Sequence, residues 1–190
     1  LLACSACTGW TPLSPQPSRK QPTAIRASDA AWQEFWQDLA ARPEIRDAWR
    51  RAPCVLKGIA PADALTLDAL TQAVDADPST LDDAARVAHG ATQGWTNVAL
   101  DDDARPSRRL RASSSKASVL LNHGGVAFPS LLGGACRAAL DAFEQPVGLN
   151  VYLTGEDVAK AAPPHTDRQE VFVVQCAGAK RWRVFASASA

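Results

Sequence analysis

The segment VGLNVYLT, residues 147–154, alternates strictly in side-chain character and constrains the fold of this 190-residue chain more than any other stretch. Side chains two positions apart on an extended chain share a face. One face therefore carries the apolar residues Val147, Leu149, Val151 and Leu153. The other carries Gly148, Asn150, Tyr152 and Thr154. We predict a β-strand whose apolar face packs on helices and whose polar face either lines a cavity inside a barrel or faces solvent.

Upstream of this strand, apolar residues recur at the helical spacing i, i+3, i+4, i+7. The first such helix begins at Ser28, a good N-cap, and ends at Arg42-Pro43. Its apolar face consists of Trp32, Phe35, Trp36 and Leu39. Further helices are predicted around Ile45 and Trp49, in TLDALTQAVD (66–75, with Leu67, Leu70 and Val74 on one face), in STLDDAARVAHG (79–90), and from Pro129 to a point before Pro146, with Leu132, Cys136, Ala139 and Phe143 in register.

Other segments lack the helical spacing. APCVLKG, residues 52–58, indicates a strand, and VFVVQC (171–176) and KRWRVF (180–185) indicate a hairpin joined by AGA. Residues 101–116 indicate an exposed loop, whose basic residues have no interleaved aromatic residue to stack on bases, so nucleic acid is not expected as a direct ligand. The predicted class is α+β, with helices followed by antiparallel strands.

Residues 1–28 contain no acidic residue and are rich in Ser, Thr and Pro, which is typical of a disordered tail or an organellar transit segment. We expect the ordered domain to cover residues 29–190. The 20 basic and 20 acidic residues of the whole chain balance, so no overall field attracts nucleic acid or anionic membrane. No apolar run is long enough to span a membrane.

Five cysteines, an odd number, do not form a disulfide framework. Cys4 and Cys7 form a CxxC pair, but a structural zinc site needs four ligands and no second pair follows at a suitable spacing. A zinc protein that uses this pair stays open as an alternative.

A His-x-Asp pair, His165 and Asp167, lies between the strands. Residues i and i+2 of an extended chain point to the same side, so the two side chains can occupy neighbouring positions on a metal ion. Completed by another histidine, such a pair is the facial triad of non-haem Fe(II) oxygenases. An isolated His-x-Asp is more often a surface or capping pair, so the pattern needs support from its surroundings.

Lys180 provides part of that support, because it shares a strand face with Trp182 and Val184, which we expect to be buried. A lysine on a buried face needs an anion. Residues 171–175 span roughly 16 Å as a strand, and a dicarboxylate together with the lysine side chain can bridge most of this distance. The pattern favours an acid chelated to a metal at one end and paired with Lys180 at the other.

The segments GLNVYLT and PPHTDRQEVFVVQCAGAKRWRVF together resemble the Jumonji-C (JmjC) oxygenases of the ribosomal-oxygenase branch, most densely from about Leu149 to Phe185. The resemblance implies a double-stranded β-helix, or cupin barrel, flanked by helices, with its core motif at 147–185. It also implies Fe(II) and the cosubstrate 2-oxoglutarate.

By motif position, the resemblance assigns His165 and Asp167 as iron ligands and Lys180 to the distal carboxylate of 2-oxoglutarate. It places Asn150 and Tyr152 beside the cosubstrate. Thr154 is a weaker candidate for the same role. The loop GEDVAKAA, residues 155–162, departs from the Pro/Gly-rich loop of the family, so the resemblance does not extend to substrate contacts there.

The resemblance also implies an enzyme that uses O2 to hydroxylate a protein side chain, of the ribosomal-protein histidine type, or to demethylate histone lysine. The resemblance is also compatible with a homodimer of the full-length protein. It favours the nucleus or nucleolus, whereas the acid-free N-terminus favours an organelle, and the compartment stays open.

In this family the third iron ligand is a histidine several strands downstream of the His-x-Asp. This chain contains only His89, His123 and His165. His123 precedes the core strands and is expected to be a loop histidine, and His89 a favourable charge near a helix end. We therefore expect the sequence to be a fragment with an incomplete barrel. The alternative is a catalytically silent cupin-like binding module.

Overall fold

A computed structural model of the chain describes residues 2–6, 28–61, 63–88, 95–97, 105–159, 161–162 and 164–185, with the backbone alone at 2–6, 82–88 and 95–97. In chain order its elements are β1 (Leu2–Ala6), α1 (Asp29–Ala41), α2 (Pro43–Ala48), α3 (Leu67–Ala76), α4 (Ser79–Ala84), β2 (Ala85–Ala88), β3 (Trp95–Asn97), α5 (Pro106–Ser114), β4 (Ser118–Leu121), α6 (Gly124–Ala127), α7 (Pro129–Phe143), β5 (Val147–Thr154) and β6 (Val171–Val174).

Helix α1 confirms the first helical prediction. The Ser28 hydroxyl accepts a hydrogen bond from the backbone N–H of Ala31 at 3.1 Å, which satisfies a donor that the first helical turn leaves unpaired. All four residues of the predicted apolar face are buried. They face α7, whose predicted position after Pro129 is also confirmed.

Helix α3 begins behind its predicted cap, since the Thr66 hydroxyl accepts from the N–H of Ala69 at 3.1 Å. Leu70 and Val74 are buried as predicted. Leu67, expected on the same buried face, is instead 38% exposed, because it is the first residue of the helix and lies at its end.

Helix α5 replaces the loop predicted at residues 101–116, of which residues 105–116 are described. Its N-cap residue, Arg105, forms no side-chain cap. The Asp75 carboxylate of α3 takes that role, accepting from the N–H of Ser107 at 2.9 Å and from its hydroxyl at 2.7 Å. Leu110 is buried against the core. The sequence prediction was wrong because this helix has one large apolar residue, Leu110, and is capped from another element.

Two further predictions in the first half were wrong. Residues 52–58 contain no strand, and Val55 there is 81% exposed, so no apolar face forms. The helix predicted at 79–90 ends at Ala84 and continues as β2, because β2 pairs with β4 and tertiary pairing overrides the helical spacing. His89 and Gly90 lie outside the described residues.

The strands of the described residues form one sheet in the order β3-β2-β4-β5-β1-β6, with antiparallel pairing throughout. The pairing of β4 with β5 sets Ser118 opposite Thr154 and Leu121 opposite Val151. β1, which the sequence did not predict, lies between β5 and β6. The remainder of the predicted tail, residues 7–27, lies outside the described residues, and the division into tail and domain stays a prediction.

The C-terminal strands agree with the sequence only in part. β5 has the predicted bounds, whereas β6 covers the first four residues of VFVVQC. Residues 180–185, predicted as the second strand of a hairpin, have no regular structure. The expectation that Trp182 and Val184 are buried was wrong, because they are 54% and 65% exposed and this segment pairs with no strand among the described residues.

An aromatic cluster joins the helices to the edge of the sheet. Phe172 of β6 lies 4.8 Å from Phe143 of α7 and 5.6 Å from Trp36 of α1, measured between ring centroids. Trp49, just after α2, stacks on Phe143 at 5.8 Å. The α+β class is therefore observed. The antiparallel sheet is compatible with part of a cupin barrel, and the double-stranded β-helix itself stays a prediction.

Candidate functional site

Strand β5 supplies the polar face of the candidate site. Leu149 and Val151 are buried in the core, whereas Asn150, Tyr152 and Thr154 alternate with them and are half-buried. The alternation therefore separates a packing face from a polar face, as predicted. The polar face is not simply the solvent side, because each of the three polar side chains contacts another element.

Asn150 is held by the turn that precedes α6. Its Oδ1 atom accepts a hydrogen bond from the backbone N–H of His123 at 3.1 Å. His123 adopts a left-handed conformation, with φ of 53°, which histidine tolerates better than most residues. Its side chain is exposed, so it fits the expected loop histidine.

Tyr152 interacts electrostatically with Asp167 and lies near Lys180. Burial raises the pKa of its phenol, and the negative charge of Asp167 raises this pKa further, while a hydrogen bond with Asn150 acts in the opposite direction. Because a tyrosinate would be repelled by Asp167, the phenol stays protonated and can donate a hydrogen bond.

Lys180 reaches this face from the segment after β6. Its Nζ atom donates to Thr154 Oγ1 at 2.7 Å and lies 6.0 Å from the centroid of the Tyr152 ring. Burial lowers the pKa of the ammonium to about 8. Among the described residues, no carboxylate forms an ion pair with it. Lys180 is half-buried, although the buried strand face predicted to carry it is not formed, and a bound anion would offset its loss of hydration.

His165 and Asp167 lie in an irregular segment between β5 and β6. The His165 Nε2 and Asp167 Oδ2 atoms are 3.6 Å apart, and the side chains are 44% and 45% exposed. This distance suits an ion pair when His165 is protonated. Two metal ligands at right angles and about 2.1 Å from an ion lie roughly 3 Å apart, so a small approach would let the same atoms share a metal.

An imidazole and a carboxylate are suitable donors for Fe(II), and the pair therefore fits two positions of a facial triad. Within the described ranges, no group of three or more His, Cys, Asp and Glu residues could hold a metal ion. His123 accordingly does not complete a triad with this pair. The side chains of Cys4 and Cys7 lie outside the described residues, so the zinc alternative is untested.

The structure adds a residue that the sequence did not identify. Ser118 of β4 has 0% exposure, and its Oγ atom lies 2.7 Å from Thr154 Oγ1. In the sequence, a serine before the apolar run Val119–Leu121 gives no indication of a functional role. Only the register between β4 and β5 brings it to the site.

Residues 135–190 match the family model described as JmjC domain. A Drosophila grimshawi protein described as bifunctional lysine-specific demethylase and histidyl-hydroxylase NO66 is 44% identical over 54 residues, which make up 28% of this chain and 7% of that protein. Residues 135–190 are therefore similar to a JmjC domain. The resemblance to the ribosomal-oxygenase branch of the JmjC family is thereby confirmed.

The JmjC match begins within α7 and includes β5, the His-x-Asp pair and Lys180. The chain spans a small part, 7%, of the curated relative that it matches. No solved structure gives a significant match to this chain. In the described part of the chain, every helix is too short or too polar to cross a bilayer.

Proposed function

We propose that this chain carries the first part of the iron and cosubstrate site of an Fe(II)- and 2-oxoglutarate-dependent oxygenase. The observation that carries the proposal is the position of Tyr152. The negative charge of Asp167 raises the pKa of its phenol, and its ring centroid lies 6.0 Å from the Lys180 ammonium. We propose that the candidate metal ligands and the candidate anion site are close enough for one ligand to bind both.

Each side chain has a role that follows from its chemistry. His165 and Asp167 would hold two positions on the metal. The Lys180 ammonium would pair with the distal carboxylate of 2-oxoglutarate, and the Tyr152 hydroxyl would donate to the same carboxylate. Asn150, fixed by the backbone of His123, would keep the tyrosine in place. When bound, iron and 2-oxoglutarate supply the oxidation of a substrate C–H bond by O2, with release of succinate and carbon dioxide.

The proposed substrate is a protein side chain. The NO66 relative is named both as a histidyl-hydroxylase and as a lysine-specific demethylase. By analogy we propose hydroxylation of a ribosomal-protein histidine or demethylation of a histone lysine, in the nucleus. Both reactions begin at a C–H bond presented to the same metal centre, so the residues described above serve either one.

The proposal is tested in the natural full-length protein with the variants His165→Ala and Lys180→Ala. We expect His165→Ala to lose iron binding, because it removes one of the two ligands present. We expect Lys180→Ala to retain iron and to raise the 2-oxoglutarate concentration that gives half-maximal succinate formation. Metal content and succinate release are measured together.

Lys57→Ala is the matched control, because Lys57 is an exposed lysine distant in sequence from the site, and it should change neither quantity. Unchanged iron content and succinate formation in both site variants would refute the proposal. Binding of 2-oxoglutarate without any turnover in the full-length protein would instead identify a silent cupin-like module.

A further inference from the structure

We infer that Ser118 is a positioning residue of the cosubstrate site, which orients the Lys180 ammonium through the hydroxyl group of Thr154. The inference rests on the proposed function and deepens it. Ser118 precedes the residues 135–190 that match the JmjC domain, so the family match does not assign it a role. Its role follows from the pairing of β4 with β5 and from the hydrogen bonds that connect Ser118 Oγ, Thr154 Oγ1 and Lys180 Nζ.

The three atoms form a continuous hydrogen-bonded chain. Lys180 Nζ lies 2.7 Å from Thr154 Oγ1, which lies 2.7 Å from Ser118 Oγ. Ser118 and Thr154 are register partners on neighbouring strands, and the Ser118 side chain is fully buried. These hydrogen bonds therefore connect Ser118, a buried residue of the sheet, to the half-buried Lys180, which is the only charged residue of the three.

The direction of the hydrogen bonds follows from the donors available. An ammonium group has three donors and no acceptor, so Thr154 Oγ1 must accept from Lys180. The Thr154 O–H is then available to donate to Ser118 Oγ. A hydroxyl that donates to a second oxygen becomes a better acceptor, so the contact with Ser118 strengthens the one with Lys180. Two ammonium protons remain for a carboxylate.

The backbone around Ser118 makes it a fixed acceptor. The N–H of Gly155, the residue after β5, donates to the carbonyl oxygen of Ser114 at 2.7 Å. A Cβ atom at Gly155 would lie 2.7 Å from that oxygen, so the close approach requires glycine. The end of β5 is thus held against the turn between α5 and β4. This contact supports the pairing of Thr154 with Ser118 and thereby the position of the Lys180 ammonium.

The test is Ser118→Ala in the natural full-length protein, with 2-oxoglutarate affinity measured by calorimetry and the kinetic constants measured by succinate release. We expect the affinity to fall roughly three- to tenfold, the range for loss of one hydrogen bond in a charged network. KM for 2-oxoglutarate should rise by the same factor while kcat stays nearly constant, because iron ligation is untouched.

Ser114→Ala is the matched control. Ser114 is also a buried serine of this region, but its hydroxyl donates to the carbonyl of Arg111 at 3.0 Å, and the substitution keeps the backbone carbonyl that accepts from Gly155. It should leave the affinity unchanged. If Ser118→Ala fails to fold, Ser118→Cys, which keeps the size but weakens the acceptor, takes its place.

A double-mutant cycle with Thr154→Val separates the proposed route from general loosening of the sheet. Ser118→Ala should have no further effect on affinity once the Thr154 hydroxyl is gone. Additive effects, or wild-type affinity in a folded Ser118→Ala protein, would overturn the inference.

A second readout does not depend on the proposed function. The pKa of Lys180 is measured by NMR of isotope-labelled lysine, with Lys180→Gln to assign the signal. Ser118→Ala should lower this pKa relative to the wild type, because the ammonium loses a polarised acceptor. If the wild type does not bind 2-oxoglutarate, the proposed function fails, and this titration still decides the role of Ser118. An unchanged Lys180 pKa in the folded Ser118→Ala variant would exclude a positioning role for Ser118.

Discussion

At the scale of single residues, Lys180 is held in an environment that favours its neutral form. Burial lowers its pKa to about 8, and its described neighbours are a hydroxyl and an aromatic ring. The hydroxyl dipole and the ring quadrupole attract the ammonium more weakly than the full negative charge of a carboxylate does. Binding of a dicarboxylate would therefore stabilise the charged ammonium and raise its pKa, which links ligand affinity to proton uptake at pH values above about 8.

We predict that 2-oxoglutarate binding weakens as pH rises through about 8, the pKa of Lys180. Below this value the free protein already carries the ammonium and binds at full strength. Above it the lysine must first take up a proton, so the affinity falls by up to about tenfold per pH unit until the pKa of the bound state is reached. Calorimetric titrations of the full-length protein at pH 7, 8 and 9 measure the effect.

Lys180→Gln controls for other titrations, because it cannot change charge. It should bind weakly and with little pH dependence over this range. Tyr152 is the titratable group beside the lysine, and its raised pKa keeps it protonated over the same window. An affinity that stays constant from pH 7 to 9 in the wild type would show that the ammonium does not bind the carboxylate.

At the scale of elements, β6 connects the site to the helical layer. The His-x-Asp segment leads directly into β6, and Phe172 of that strand packs among the aromatic rings of α1 and α7. Trp36 of α1 contributes to this cluster with 1% exposure. The helices of the first half therefore support the strand that follows the candidate ligands.

We predict that Trp36→Ala lowers the free energy of unfolding by about 3–5 kcal/mol, as expected for loss of a buried tryptophan. Trp36→Phe should cost less, about 1–2 kcal/mol, because it also removes an indole N–H that is buried without a partner among the described residues. Chemical denaturation measures both. Val55→Ala, at an exposed site, should change stability by less than about 0.5 kcal/mol. Similar losses for all three variants would contradict the packing described here.

At the scale of the whole molecule, the sheet of the described residues ends at β3 and β6, and several large apolar side chains of β6 and of residues 182–185 are exposed. Val171 and Val173 of the edge strand β6 are partly exposed, and Trp182, Val184 and Phe185 beyond it are more so. Unpaired strand edges and clustered apolar side chains favour association with other chains.

We predict that the isolated 190-residue chain self-associates through residues 180–185. Replacing Trp182 and Val184 together by serine should reduce the association measured by sedimentation velocity, because it removes exposed apolar surface. Replacing the exposed Val126, which lies on α6 and outside this surface, serves as the control and should have little effect. Equal association of the double variant and the wild type would assign self-association to another surface.

Much of the candidate site was predictable because its residues lie close together in sequence and follow simple periods. The alternation in residues 147–154 separates the polar face from the packing face, and the structure keeps that separation. Lys180 was predicted on a buried strand face beside an anion; the residue is half-buried, the strand is absent, and the anion site stays a prediction. Its position comes from the contact with Thr154 rather than from strand pairing.

The predictions that failed depend on partners distant in sequence. Helix α5 needs the Asp75 carboxylate of α3 at its N-terminus, and β2 needs β4 beside it. Neither partner appears in the local pattern of the segment concerned. Local propensity differs by a few tenths of a kcal/mol per residue, so one long-range contact is enough to reverse it.

The sequence by itself indicated the resemblance to JmjC oxygenases, the identity of the polar side chains on β5 and the pairing of an imidazole with a carboxylate, because each of these depends on residue type and short spacing. Only the tertiary structure decided that Ser118 lies opposite Thr154, that the Lys180 ammonium lies 6.0 Å from the ring of Tyr152, and that Trp182 and Val184 are exposed. These properties depend on strand register and on which surfaces are covered. Both are set by contacts across the whole fold, where burial and hydrogen bonding outweigh local preference.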